Sequence, residues 1–108
     1  MKVQGLQPEQ LEKAAIMLKA IAHPTRISII SFLEDGKKLT VTEIHEKLNL
    51  KQSTTSHHLG ILKDKGVLAS KRDGKNTYYF LRHEQLSNIV ECISKCACYT
   101  LLLSDCML

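Results

Sequence analysis

A run of small polar side chains stands just ahead of an apolar segment in the middle of the chain. The stretch KQSTTSHHLGILKDKGVL, residues 51–68, starts with a lysine, a glutamine, four hydroxyl residues and two adjacent histidines, and more lysines follow. Side chains of these types exchange hydrogen bonds with base edges and phosphates when one helix presents them together. The pattern therefore indicates a surface that meets a polyanion.

The charge of the surrounding segment supports this interpretation. From Lys51 to Arg82 there are seven basic and two acidic residues, a net charge of +5, whereas the whole chain carries +4. A basic segment is usually a solvated face, but this one coincides with the polar run. A polyanion partner is therefore the favoured prediction.

A second set of reactive side chains lies near the C-terminus, where all four cysteines fall within the last 17 residues. Counted from Cys92, steps of four, three, four and three residues form a seam typical of a helix packed against another helix, and the seam extends backward to Ile89 and Leu86. The seam comprises Leu86, Ile89, Cys92, Cys96, Tyr99, Leu103 and Cys106. Cys98 lies off this seam.

Two interpretations of the cysteines remain open. They can act as small hydrophobic residues packed between two copies of the chain. Alternatively, Cys92 and Cys96 face the same way, and thiols of a second copy complete a site, with Cys98 as the next candidate ligand. Such a cluster suits a thiophilic ion such as zinc, cadmium, copper(I) or arsenic(III), or a disulfide switch.

Length and composition limit the class of protein. A chain of 108 residues, 44% of them hydrophobic, predicts a single domain over residues 1–108 with a modest core, stabilised by forming a dimer. No stretch approaches the ~18 apolar residues of a membrane span, and the first ten residues lack the apolar core of a signal peptide. Cysteines confined to one end cannot staple the fold, so we expect a reducing cytoplasm and no membrane partner.

Helix signals dominate the first 66 residues. Prolines open two amphipathic helices at Pro8 and Pro24, and the second stops before Asp35-Gly36. A capping box from Thr40 to Glu43 predicts a short third helix that ends near Asn49. The fourth helix is predicted from about Gln52 to Lys65. Beyond it, two β-prone runs joined by Asp73-Gly74 predict a hairpin, and helical spacing returns from about His83.

Two short helices joined by a tight turn and followed by a basic hairpin predict a winged helix-turn-helix. The fold class is mostly α, with about five helices and a two-stranded β-hairpin wing. The N-terminal end of a recognition helix enters the DNA major groove, so it must carry hydrogen-bonding side chains instead of apolar ones. The residues predicted to contact double-stranded DNA are Lys51, Gln52, Ser53, Thr55, Ser56, His57 and Lys63 in the fourth helix, and Lys71, Arg72 and Lys75 in the wing.

Other interpretations of the same residues are weaker. The Ser/Thr run also suits a loop, but a capped helix precedes it and an apolar helix follows it. His57 and His58 point about 100° apart on a helix, which disfavours a shared metal ion. The sequence has no paired carboxylates, nucleophile motif or phosphate loop that would indicate an enzyme.

Three segments together resemble the ArsR/SmtB family of bacterial winged-helix repressors. They are KAIAHPTRISIISFL (residues 19–33), LTVTEIHEKLNLKQSTTSHHLGILKDKGVL (39–68) and SKRDGKNTYYFL (70–81). The resemblance implies a homodimer built on the first and last helices, which binds an inverted-repeat operator near its own promoter and leaves when an inducer binds. It also implies that Gln52, Ser53, Ser56 and His57 contact bases or phosphates.

The chain departs from the metal-sensing members of this family at two places. Thr40-Val41-Thr42-Glu43 stands where those members often have Cys-Val-Cys-Asp, and no histidine follows His83 in the last helix. Neither of these two metal sites is therefore expected here. The alternatives to an inducible repressor are a metal-independent regulator, or an interaction or metal-buffering module that keeps the winged-helix fold.

Overall fold

A computed structural model of the chain describes the backbone of residues 7–107 and the side chains of residues 7–98. These residues form five α-helices and a small antiparallel sheet. In chain order the elements are α1 (Pro8–Ile21), α2 (Pro24–Phe32), a 3-10 turn (Glu34–Gly36), β1 (Leu39–Thr40), α3 (Val41–Leu48), α4 (Gln52–Asp64), β2 (Leu68–Asp73), β3 (Asn76–Leu81) and α5 (Gln85–Met107). This architecture confirms the predicted winged helix-turn-helix.

Hydrogen bonds at both ends of α3 fix the turn that leads into α4. At its start the Thr40 hydroxyl accepts from the Glu43 amide at 3.2 Å, and the Glu43 carboxylate accepts from the Thr40 amide at 3.0 Å. At its end Asn49 adopts the left-handed conformation, with φ of 55°, which asparagine tolerates better than most residues. The predicted capping box is therefore present, and α4 begins three residues after Asn49.

The wing belongs to a three-stranded sheet in the order β1-β3-β2. The predicted hairpin pairs Leu68 with Leu81 at its base and Asp73 with Asn76 at its tip. The third strand, β1, was not predicted, because two residues are too few to show an alternating pattern. It pairs with the middle of β3 and so joins the wing to the start of α3.

The core lies between α2, α3, α4 and the base of the hairpin. The fully buried apolar side chains are Ile29, Ile30, Leu33, Ile44, Leu59, Leu62, Val67 and Leu68. Leu86 and Val90 extend this cluster onto the first turns of α5. Leu59 and Leu62 are therefore the apolar residues that fix α4 to the rest of the chain, whereas Ile61, which the sequence also suggests as a buried residue, is only half-buried.

Apolar side chains of α1 and α5 remain exposed in the single chain. Leu18 is 51% exposed, Ile89 43% and Ile93 52%. Cys92 and Cys96 are exposed as well. The side chains of Tyr99, Leu103 and Cys106, which complete the predicted seam, lie outside the described residues. Among the helices that are described, none combines the length and the apolar character needed to cross a membrane.

Candidate nucleic-acid interface

Helix α4 has a polar outer face and a buried inner face. Gln52, Ser53, Ser56 and His57 are all exposed, and their spacing places them on one side of the first two turns. The buried face consists of Thr55, His58, Leu59 and Leu62. The structure therefore leaves accessible four of the five polar side chains that the sequence assigned to the tip of this helix.

Thr55 is the exception, and its predicted contact with DNA is wrong for this structure. The residue is fully buried, and its hydroxyl has no hydrogen-bond partner within the described part of the chain. The physical reason is the helix period: Thr55 stands three and four residues before His58 and Leu59 and shares their inward face. Residue type alone suggested the wrong side of the helix.

The N-terminus of α4 lacks the side-chain cap that α3 has, which affects its ability to bind an anion. No side chain caps α4 at Lys51, and no acidic residue lies in its first turn. The first amide groups of a helix lack internal partners and carry the positive end of the helix dipole. Because no side-chain oxygen occupies them, these amides remain available to a phosphate group.

The predicted phosphate-contacting cations are all accessible. Lys51, Lys63, Lys71, Arg72 and Lys75 are exposed along α4 and the wing. The Arg72 Nε donates to the Gly74 carbonyl at 3.3 Å, which holds this guanidinium beside the tip of the hairpin. The electrostatic prediction is therefore compatible with the structure.

Two residues that the sequence did not single out for the site lie directly behind this surface. His58 is only 8% exposed, and its Nδ1 accepts a 3.0 Å hydrogen bond from Nε of Arg26 on α2. Arg26 also donates through Nη1 to the Ala20 carbonyl at the end of α1, at 3.1 Å. The signal that points to them is a polar residue at a buried helix position together with the His23-Pro24-Thr25-Arg26 segment.

Basic neighbours surround His58. The His23 ring lies 4.8 Å from the His58 ring and the His57 ring lies 5.9 Å away, between centroids. Burial lowers the pKa of His58 below its ordinary value of 6.5, and the positive charges of Arg26, His23 and His57 lower it further. His58 is therefore a neutral hydrogen-bond acceptor at neutral pH.

The described cysteines of α5 do not by themselves form a complete metal site. Cys92, Cys96 and Cys98 are exposed, and α5 places the first two one turn apart on one face. Among the described residues, no group of three or more His, Cys, Asp or Glu side chains is arranged to hold a metal ion. A metal site built on these thiols would need ligands beyond the described residues of one chain.

Sequence comparison places the chain beside known regulators. A family model described as bacterial regulatory protein, arsR family, matches residues 23–70, from the end of α1 into β2. The transcriptional repressor PagR of Bacillus anthracis is 38% identical over 84 residues, which cover 78% of this chain and 84% of PagR.

Solved structures share the fold. The crystal structure of PagR has a TM-score of 0.73 and 37% identity, and the match covers 81% of this chain and 99% of PagR. HlyU from Vibrio cholerae N16961 has a TM-score of 0.74 and 28% identity, with 85% and 99% covered. The homodimeric winged helix-turn-helix domain of Mb0332 from Mycobacterium bovis has a TM-score of 0.73 at 24% identity, with 86% and 88% covered, which bears on the fold alone.

Proposed function

The chain belongs to the ArsR family of bacterial regulatory proteins and is a transcriptional regulator, and from this premise we propose that it is a homodimeric repressor of an inverted-repeat DNA operator. One observation carries the proposal. The first two turns of α4 expose Gln52, Ser53, Ser56 and His57 around an uncapped helix N-terminus. A surface built only for protein contacts has no reason to combine this polar face with open amides.

Each exposed side chain has a role in this proposal. Gln52, Ser56 and His57 read base edges in the major groove, where amide, hydroxyl and imidazole groups can both donate and accept. The N-terminal amides, with Lys51 and Lys63, meet the flanking phosphates. Lys71, Arg72 and Lys75 contact the DNA backbone or minor groove beside the wing.

A second copy of the chain covers the exposed apolar residues of α1 and α5. This assembly is proposed because Leu18, Ile89 and Ile93 stay exposed in one chain. Two recognition helices then address half-sites one helical turn apart, about 34 Å on B-DNA. The palindromic operator follows from the two-fold symmetry of the dimer.

Cys92 and Cys96 form the core of the proposed inducer site, with Cys98 as the next ligand. Their exposure on α5 supports access by a thiophilic ion or an oxidant, and the thiols of the second copy complete the set. The inducer favours a dimer whose recognition helices no longer match successive major grooves. A 100-fold loss of DNA affinity requires about 2.7 kcal/mol of coupling between the two sites.

Fluorescence anisotropy with the DNA upstream of the gene tests the DNA-binding part. We expect Ser56→Ala and His57→Ala each to reduce the discrimination between operator and scrambled duplex by ~1 to 3 kcal/mol. Ser31→Ala, which also replaces an exposed serine by alanine but lies on α2, is the control matched to Ser56→Ala. Unchanged discrimination in both α4 variants would place the recognition surface elsewhere.

The same assay with zinc, cadmium, copper(I), arsenic(III) or a mild thiol oxidant tests the inducer site. We expect one of these additions to release the DNA from the wild-type protein. The same addition should not release the DNA from the double variant Cys92→Ser, Cys96→Ser. An identical response in the double variant would refute the inducer role of Cys92 and Cys96. If no addition releases the DNA from the wild-type protein, the cysteines are interface packing residues and the regulator is metal-independent. A protein without preference for any duplex would instead support an interaction or metal-buffering module.

A further inference from the structure

The side chain of Arg26 joins three helices behind the proposed DNA-binding surface. Its Nε donates to Nδ1 of His58 in α4, and its Nη1 donates to the carbonyl of Ala20 in α1. Arg26 itself lies in the first turn of α2. Among the described residues, the bond to His58 is the one side-chain hydrogen bond that connects α4 to α1 or α2.

The other contacts of the inner face of α4 are not directional. Leu59 and Leu62 pack in the apolar core, and the Thr55 hydroxyl makes no hydrogen bond there. Apolar packing holds a helix in place but constrains its rotation about its own axis less than a hydrogen bond with a fixed angle does. The planar guanidinium of Arg26 supplies two such bonds from one rigid group.

The bond to Nδ1 exists in only one protonation state of His58. A neutral ring with its proton on Nε2 leaves Nδ1 as an acceptor, whereas a protonated ring carries N–H groups on both nitrogens. A protonated His58 would therefore oppose the Arg26 N–H. The charged and titratable groups that act on His58 are His57 from α4, His23 from the α1–α2 junction and Arg26 from α2. All of them are basic, so none compensates an added positive charge.

We propose that Arg26 is a positioning residue for DNA recognition, which holds α4 through His58 and does so only while the His58 ring is neutral. This inference rests on the proposed function of α4. When the ring gains a proton the link between α1 and α4 is lost, although the apolar core remains. The lowered pKa of His58 keeps the link intact at neutral pH.

The test measures affinity for the upstream duplex by anisotropy, from about pH 7.5 to about pH 5.5 and at several salt concentrations. The variants are Arg26→Lys, which keeps the charge without the planar fork, and His58→Asn, whose amide oxygen can replace Nδ1 as an acceptor but cannot titrate. Lys75→Ala is the control for a residue that contacts phosphate directly. Unfolding in urea at each pH shows that every variant is folded under the assay conditions.

We expect Arg26→Lys to bind the operator about tenfold more weakly, which is about 1.4 kcal/mol. The slope of log affinity against log salt should stay unchanged, because no phosphate contact is lost, whereas Lys75→Ala should reduce the slope by about 0.9. A reduced slope in Arg26→Lys would overturn the proposal by making Arg26 a phosphate contact. Unchanged affinity would overturn it as well.

The pH profiles give the second criterion. The wild-type protein should lose affinity relative to His58→Asn as the pH falls, and the difference isolates His58 because His57 contributes to both proteins. Coincident profiles would contradict a protonation-dependent link.

Nuclear magnetic resonance of the histidine rings separates this proposal from the proposed function. The pKa of His58 should lie below 6.5 and rise in Arg26→Gln, because the charge of Arg26 lowers it. This result is expected whether or not a duplex is bound. A protein that shows the linked titration but no preference for any duplex would refute the DNA-binding role alone, and an unchanged His58 titration in Arg26→Gln would refute the link alone.

Discussion

A hydroxyl group is enclosed without a hydrogen-bond partner on the inner side of α4. Thr55 has no exposed surface, and its Oγ1 bonds to no other atom of the described residues. Removing a hydroxyl from water without a replacement bond costs roughly 1 to 3 kcal/mol in proteins. Thr55 therefore stays in place at a cost to stability.

Thr55→Val should raise the free energy of unfolding by about 1 kcal/mol, because valine has the same shape without the hydroxyl. Urea denaturation followed by circular dichroism measures the change. Thr54→Val, one residue away on the exposed face, is the matched control and should stay within about 0.5 kcal/mol of the wild type. A loss of stability in Thr55→Val would show that its hydroxyl has a partner in solution.

The sequence predicted which types of residue form the site, but it did not always predict which face of the helix each residue occupies. The sequence placed Gln52, Ser53, Ser56 and His57 at the tip of a helix, and the structure exposes all four. It assigned Thr55 to the same surface and gave His58 no structural role. The direction in which a polar side chain points depends on which helix face the core occupies, and the core includes α2 and the hairpin base, far away in the chain.

At the scale of elements, the sequence predicted those helices and turns that are stabilised by interactions between residues close together in the chain. The capping box of α3 and the Asp73-Gly74 turn of the wing involve neighbours within a few residues, and both were found. Strand β1 and the bond from Arg26 to His58 depend on partners 32 to 40 residues away in the chain. Such pairings leave no periodic trace in a single sequence.

Replacing Gly60 in α4 should stabilise this helix without disturbing the fold. It lies on the exposed side of the helix, and a Cβ atom added there would meet no atom of the described chain within 4 Å. Alanine is favoured over glycine in a helix interior by roughly 0.5 to 1 kcal/mol. Gly60→Ala should therefore raise the free energy of unfolding by about that amount, measured in urea.

The wing turn provides the control for this prediction. Gly74 adopts a φ of 63°, a conformation that alanine tolerates poorly, so Gly74→Ala should lower the stability although it too meets no neighbouring atom. Equal effects of the two substitutions would mean that backbone conformation does not govern these sites.

At the scale of the whole molecule, the apolar side chains that stay exposed among the described residues fit the proposed second copy of the chain. The core of one chain covers Leu86 and Val90 on α5 but leaves Ile89 and Ile93, which lie on another side of the same helix, in contact with water. The seam spacing predicted Ile89 but not Ile93, and it included Leu86, which the core of one chain buries. It could not predict how the two chains are arranged.

Ile93→Glu should convert the proposed dimer into a monomer. The side chain is 52% exposed in one chain, and the proposed interface would bury the new carboxylate. Sedimentation equilibrium measures the assembly, and Ser94→Glu adds the same charge at the adjacent exposed position as a control. The monomer should keep its affinity for a single half-site and lose the additional affinity for two, since linked sites bind together through a high effective concentration. A variant that still sediments as a dimer would place the interface on another surface, and one that binds the full operator as tightly as the wild type would show that DNA recognition does not require two chains.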